Sequence, residues 1–414
     1  MPGKRFRVVI AVGLLLTLLL PGGASAAPPD ASVFARRWNA TVVVNGVEVP
    51  CRFEITRRGS VLVGAFFNGD RRIASTASRV EDEHLVFTFA QYGSTLDVSA
   101  RDSRLSGEYR RGTKTVYRFT AVPATRTQAG VLDGPSIEGT WIVQARSSKG
   151  ETAWRFIVRE QTGDVSATIL RVDGDTGTLT GTFDGERYVL SHFSGARPLL
   201  LEVFPRADGT LDLRQNGRPE LLRAVRESDP RAVAIGAPSD PESHTTVRDA
   251  AEPFRFSFPD LTGRIVSNTD PSFAGKVVLV SISGSWCPNC HDEAPFLASL
   301  YKKYRDRGFE MVTLSFEEKE QLANPERLRA FIAAYGFRHT VLLAGEPGQI
   351  AEKIPQAVNL NAFPTSFILG RDGRVRAVHA GFPSPGSGVF YRKAERDLSR
   401  EIERLLAEPA EVSR

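Results

Sequence analysis

The sequence predicts a multidomain fold: two β-rich antiparallel N-terminal domains that read as a duplication, followed by an open α/β sheet. Three observations carry this. The 414 residues exceed one ordinary core, and at roughly 100–200 residues per domain they predict two to four domains. Short alternating apolar runs fill the chain as far as Arg226, and strand-like and helix-like text alternates beyond Pro253. A proline-rich polar stretch separates the two regimes.

Residues 1–26 read as an export signal. Lys4, Arg5 and Arg7 precede the apolar run Val8 to Leu20, and Ala24-Ser25-Ala26 supplies a small-residue cleavage site. The run is short of the roughly 20 residues that span a bilayer, so cleavage is expected rather than an anchor. The first cysteine is Cys51, which leaves no lipid-anchor cysteine at the cleavage site. A periplasmic or secreted protein without stable membrane insertion is the expectation. Loss of the three basic residues lowers the formal charge from +5 to +2, too little to support nucleic-acid binding. Charged residues at 24% and hydrophobic residues at 41% are the balance of soluble globular domains.

Residues 27–130 and 131–226 are expected to be two copies of one β-domain. Runs such as Thr41 to Val44 and Leu85 to Phe89 alternate with turns such as Asn68-Gly-Asp70 and Asp173-Gly-Asp175. Trp38 and Trp141, Phe53 and Phe156, and Ala121-Val122 and Ala224-Val225 recur at one offset of about 100 residues. Chance recurrence of scattered aromatics is the alternative. Residues 227–253, with Asp229-Pro230, Ala237-Pro238, Asp240-Pro241 and Glu252-Pro253, predict a semi-extended linker.

Residues 254–414 predict strands at Val277–Ile282, Glu310–Leu314, Thr340–Leu343, Thr365–Leu369 and Val375–Val378. Helices are expected at Pro295–Arg305, Pro325–Tyr335 and Arg392–Glu408. The run from Val277, apolar but for Ser281, is the text of a strand covered on both faces.

Only three cysteines occur, and two form Cys287-Pro-Asn-Cys290 between the apolar strand and a helix. Cys287 would then cap a helix whose first residue is Pro288, and free N–H groups with the helix dipole favour a thiolate there. Cys290, one turn in, is less exposed and close enough to attack a mixed disulfide. A zinc site would need a second pair of ligands that the scattered histidines do not supply, so no metal is expected. A loop this short braces the unfolded chain by only about 2 kcal/mol, which points to exchange rather than to bracing. Ala362-Phe-Pro-Thr365 stands before a strand, and Pro364 is a candidate cis-proline whose neighbouring backbone would pair with an extended peptide.

From about Phe254 onward the chain resembles the thioredoxin-like superfamily, most closely its exported TlpA- and ResA-like thiol-disulfide oxidoreductases. The matching text is Gly275 to Val280, Trp286-Cys-Pro-Asn-Cys290 with Glu293-Ala-Pro295, and Phe363 to Leu369 with Asp372-Gly373. The resemblance implies Cys287 as attacking thiol, Cys290 as resolving thiol and Pro364 as the cis-proline beside them. It places Trp286, Phe363 and Thr365 at the substrate. It further implies no cofactor beyond a redox-active Cys287–Cys290 disulfide, exported disulfide-bearing proteins as partners, and recharging by a membrane electron donor.

The chain departs from many thioredoxins at Ser281, which stands where they carry a buried acid. Glu293, one turn beyond Cys290, is the candidate to move the proton instead, against the alternative of a solvated first-turn Glu. His291 is expected at the surface and Cys51 as a small buried apolar residue. The β-rich domains are expected to present partners and to stand apart from the thiol step. Two other functions compete: a thiol peroxidase of the peroxiredoxin type, for which Ser283-Gly-Ser-Trp286 lacks the usual Pro and Thr, and a Cu(I)-binding metallochaperone using both thiols.

Overall fold

The computed structural model describes residues 34–409 apart from 82–83, 113–114, 126–133 and 162–163, so the expected leader lies outside the described residues. The first domain is one antiparallel sheet running from Arg37–Val44 to Thr115–Pro123, and these first and last strands pair with each other. Its two edges are the consecutive strands Arg71–Ala74 and Ala77–Glu81, so the barrel stands open between them. The second domain begins the same way but closes. Ala153–Gln161 pairs with both Gly139–Gln144 and Asp164–Arg171, and the latter pairs with Leu179–Phe183.

The expected repeat is visible in the register. Trp38 faces Phe53 and Pro123, while Trp141 faces Phe156 and Arg226 at the same spacing. Each indole donates to the carbonyl four residues before it, Trp38 to Phe34 at 3.2 Å and Trp141 to Ile137 at 2.9 Å. Alternation along the strands turns Phe53, Phe66, Phe87 and Phe119 into one core and Phe156, Tyr188, Leu201 and Leu213 into the other. Cys51, opposite Ala40, packs partly buried against the first core, and burial pushes its thiol up.

The linker differs from the expected semi-extended spacer because its prolines and acids cap short turns that dock. Asp240 accepts from Glu242 N at the start of the turn Pro241–His244, and Thr246–Val247 pairs with Ala357–Val358. Buried Thr245 donates to Asn359 O at 3.1 Å.

The third domain is a five-stranded sheet in the order Thr340–Gly345, Phe309–Phe316, Val277–Ser283, Thr365–Leu369, Val375–Ala380. The first three strands run parallel and the last two antiparallel. Val277–Ser283 is buried throughout, as its apolar text requires. Val277 and Leu279 meet the helices Pro288–Tyr304, Glu326–Tyr335 and Val389–Ala407 on one face; Val278, Val280 and Ile282 meet Phe254, Phe256 and Phe258 on the other. Among the described residues no helix is long and apolar enough to cross a membrane.

Candidate active site

The central strand ends at Ser283, and the chain turns through Gly284–Trp286 into the helix Pro288–Tyr304, hereafter the motif helix. That turn is held from below. Ser285 donates through both its N–H and its hydroxyl to the buried Glu317, each at 2.7 Å, and Arg327 bonds both partners. Trp286 Nε1 donates to Phe316 O at 2.8 Å. Cys287 is left as the N-cap in extended backbone, with Pro288 in the first turn. Its Sγ accepts from Cys290 N at 3.3 Å and donates to Phe363 O at 3.5 Å. Phe363 is joined to Pro364 by a cis peptide bond, as the sequence predicted, and its ring packs on Trp286 at 5.1 Å. Thr365 differs from its predicted substrate-facing place. It is fully buried, and its hydroxyl donates to Ala362 O at 2.8 Å, so its side chain fixes the loop from within.

Both thiols are free, and Cys290 is the deeper, at 1% exposure against 4% for Cys287. Burial pushes the Cys290 thiol well up, and the bond and charge of Cys287 add to this. Behind it lies Glu293, only 2% exposed, which excludes the solvated first-turn alternative. Ser366 Oγ donates to it at 3.2 Å and Ser281 Oγ at 3.5 Å. Those two bonds favour the carboxylate, but burial outweighs them and raises Glu293 to about 8. Ser281 thus donates to the acid where many thioredoxins carry one.

A family model described as AhpC/TSA matches residues 247–378. Tryparedoxin of Trypanosoma brucei brucei is 32% identical over 120-odd residues, 28% of this chain and 83% of its own length. Through its C-terminal domain the chain belongs to the thioredoxin-like superfamily. Thiol-disulfide oxidoreductase ResA of Bacillus thuringiensis (strain Al Hakam) is 31% identical over 29% of this chain, and the chain spans 62% of that relative's length. A thiol:disulfide interchange protein from Chlorobium tepidum TLS aligns at 26% identity over 38% of this chain and 99% of its own, with a TM-score of 0.30.

The thioredoxin-like domain does not present the first turns of its motif helix to solvent, because both β-domains sit on them. Asp292 accepts from Arg71 Nη1 at 3.0 Å and Asn68 Nδ2 at 3.2 Å of the first domain, and from Arg197 Nη2 at 2.8 Å of the second. Arg197 also bonds Asn289, whose amide donates to Asp173 O at 2.6 Å. Arg111 of the first domain donates to Trp286 O. Gly174 makes the close approach feasible: it has φ +120°, and a Cβ there would lie 2.5 Å from Phe382 O and 2.6 Å from the Asn289 amide. His291, expected at the surface, is buried for the same reason. Tyr92 of the first domain stacks on it at 4.0 Å, its Nε2 donates to Ser285 O at 2.9 Å and its Nδ1 accepts from Tyr335 OH at 2.9 Å. Burial drives its pKa well below the usual value, so the imidazole is neutral and adds no charge to the thiols.

The sequence reading therefore located both thiols, Trp286, Phe363, Pro364 and Glu293, and missed Arg71, Tyr92, Arg197 and Asp292. The signal for the missed set was faint. Asn68-Gly-Asp70 and Asp173-Gly-Asp175 read as ordinary turns, and they are the hairpin tips that touch the helix. Among the described residues no group of three His, Cys, Asp or Glu side chains is arranged to hold a metal ion.

Proposed function

We propose that this protein is an exported thiol–disulfide oxidoreductase that works by a dithiol mechanism at Cys287 and Cys290, with no cofactor beyond their redox-active disulfide. The observation that carries the reading is the asymmetry of the pair. Cys287 caps the motif helix beside Phe363 and Pro364 with its sulfur in reach of the Cys290 N–H, while Cys290 lies one turn deeper. A thiolate at Cys287 attacks one sulfur of a disulfide and expels the other as a thiol. Cys290 then attacks Cys287 Sγ and releases the second half. Glu293, buried behind Cys290 and raised to about 8, takes the proton that Cys290 must lose when its carboxyl is ionised, a fraction that is minor near pH 7 and grows as the pH rises through 8. The relatives named thiol-disulfide oxidoreductase support this chemistry. Export rests on the text of residues 1–26. The oxidised pair is recharged by an external dithiol, for which a membrane electron donor is the proposed source.

Trapping tests the assignment. Cys290→Ser should accumulate mixed disulfides with its substrates, because attack proceeds and resolution is lost. Cys287→Ser should trap almost none. Equal trapping by the two variants would overturn the roles.

A further inference from the structure

Cys287 does not open onto a free surface. It lies at the floor of a cleft of about 380 Å³ between the thioredoxin-like domain and the closed β-barrel, with Lys149, Arg171, Arg197 and Asn216 on the barrel side and Trp286 and Phe363 opposite. The sequence predicts backbone beside Pro364 free to pair with an extended peptide. Instead Lys149 Nζ crosses from the barrel to Asn361 O at 2.6 Å, and Asn289 is tied to Asp173 O, so the barrel bounds the site on both flanks. Space of this size suits a small molecule better than the disulfide of a folded domain.

The wall has a sign. Its cations are Lys149, Arg171 and Arg197 and its carboxylates Asp173 and Asp175. Arg197 is already paired with Asp292 and Lys149 with Asp173, so among the described residues Arg171 is the cation of this wall without an ion pair. Asp175 is fully buried, and its oxygens accept from Gly177 N, Ser384 N and Ser384 Oγ, which leaves it nothing to offer a ligand. Asp173 is paired with Lys149 at 3.3 Å. Three donors of residues in this wall, Arg171 Nε, Arg197 Nε and Gln215 Nε2, have no hydrogen-bond partner. Buried donors without partners are costly and mark a wall poor in acceptors, and a carboxylate, an acceptor-only group, complements the guanidinium of Arg171 there.

Resting on the thiol–disulfide reading above, we infer that the cleft takes a small disulfide bearing carboxylates, and that Lys149 and Arg171 of the β-barrel belong to its binding site. In the step, Cys287 attacks R–S–S–R to give Cys287–S–S–R and RS⁻. Cys290 displaces the second RS⁻, the Cys287–Cys290 disulfide forms, and the two thiol protons leave on the two RSH products. The two electrons come from the two protein thiols, so no further reductant enters.

The test follows the oxidation of the reduced full-length protein by dithiodipropionate, cystamine and insulin, each rate divided by that of the same disulfide with free dithiothreitol. We expect dithiodipropionate to exceed cystamine by about tenfold, the factor equivalent to about 1.4 kcal/mol, and insulin to be slower than both. The preference should shrink in high salt and in Lys149→Gln and Arg171→Gln, two variants that touch different parts of the barrel. Cystamine matching dithiodipropionate, or insulin outpacing it, would overturn this inference while leaving the exchange reading intact. Failure of all three disulfides to oxidise the protein would overturn both.

Discussion

The two β-domains share a register, yet one is an open half-barrel and the other a closed barrel. The hairpin Val61–Asn68 with Arg71–Ala74 corresponds to Asp164–Arg171 with Gly174–Asp175, and both hairpin tips touch the motif helix. The next loops of that end do the same. Tyr92 precedes Ser94–Arg101 in the first domain, and Arg197 precedes Leu199–Pro205 in the second. The grip on the helix is therefore a property of two equivalent loops and does not need closure. What closure adds is a wall: only the second domain continues through Thr176 and Gln215 to line the cleft over Cys287. One copy holds the helix, and the other holds it and shapes the site.

The shared target of the two grips should give the largest effect. Asp292→Ala would leave Arg71 and Arg197, whose side chains are 23% and 16% exposed, facing each other without their carboxylate. Breaking one partner out of a buried ionic cluster costs roughly 3–5 kcal/mol. Urea unfolding should show that loss, with Asp292→Asn milder because it keeps acceptor and shape. A cost under about 1 kcal/mol would mean that the two domains rest on the helix without gripping it.

Glu293, the next residue, faces away from both domains and serves as the contrast. Its folded pKa of about 8 lies above the unfolded value of 4.5, so the native state binds the extra proton between those limits. Its contribution is fully present below pH 4.5 and is lost as the pH rises through 8. The change amounts to about 3 kcal/mol by neutral pH. Glu293→Gln should flatten that fall in melting temperature between acid and neutral pH. The variant should also lose the part of the pH–rate profile that inflects near 8 in the resolving step. An unchanged profile would remove Glu293 from proton transfer.

The two arginines separate the domains directly. Arg197 loses bonds to Asp292, Asn289 and Asp175 O when replaced by Ala, and the site lies deep. Arg71 loses Asp292, His291 O and Tyr335 OH from a more exposed position. We expect Arg197→Ala to cost about 3 kcal/mol and Arg71→Ala about 1–2 kcal/mol, since exposure screens the second pair more. Because Arg197 also borders the cleft, its loss should slow oxidation by dithiodipropionate more than the loss of Arg71 does. Equal effects on that rate would mean that the closed barrel contributes no more to the site than the open one.

How much of this was legible follows from how far each signal reaches along the chain. Cys287, Cys290, Pro364 and the apolar central strand are local patterns, and each fell where its text placed it. The Trp38 and Trp141 repeat was legible because a strand register preserves spacing. Glu293 was half legible: its helix position placed it beside Cys290, but nothing local told that Ser281 and Ser366 enclose it. Thr365 was misplaced because strand text does not say which face turns inward. His291 and Asp292 were misread or missed because Tyr92, Arg71 and Arg197, which cover them, lie between about one hundred and two hundred positions earlier. No periodicity within the motif helix encodes a partner that another domain supplies.

The smallest effect belongs to the feature that only the first domain has. Tyr92 lays its ring on His291 within 11° of parallel, and no aromatic of the second domain is placed against that imidazole among the described residues. Tyr92→Leu keeps apolar cover and loses the stack, worth about 0.5–1.5 kcal/mol. The pH dependence carries the sharper information. Burial depresses His291 below 6.5, opposed by its bond to Ser285 O and aided by Arg111, Arg71 and Arg197, while Phe331 and Tyr335 cover its other side. A depressed folded pKa means that the unfolded chain binds the extra proton, so this contribution is whole above 6.5 and is lost as the pH falls toward the folded value. If Tyr92 is what keeps water from the ring, the melting temperature of Tyr92→Ala, which removes the cover as well, should fall less steeply than that of the wild type between about pH 7 and about pH 5. Parallel curves would assign the neutrality of His291 to Phe331 and Tyr335 of its own domain. The first β-domain would then hold the helix through its polar bonds to Asp292 and His291 O, as the second does through Asp292 and Asn289.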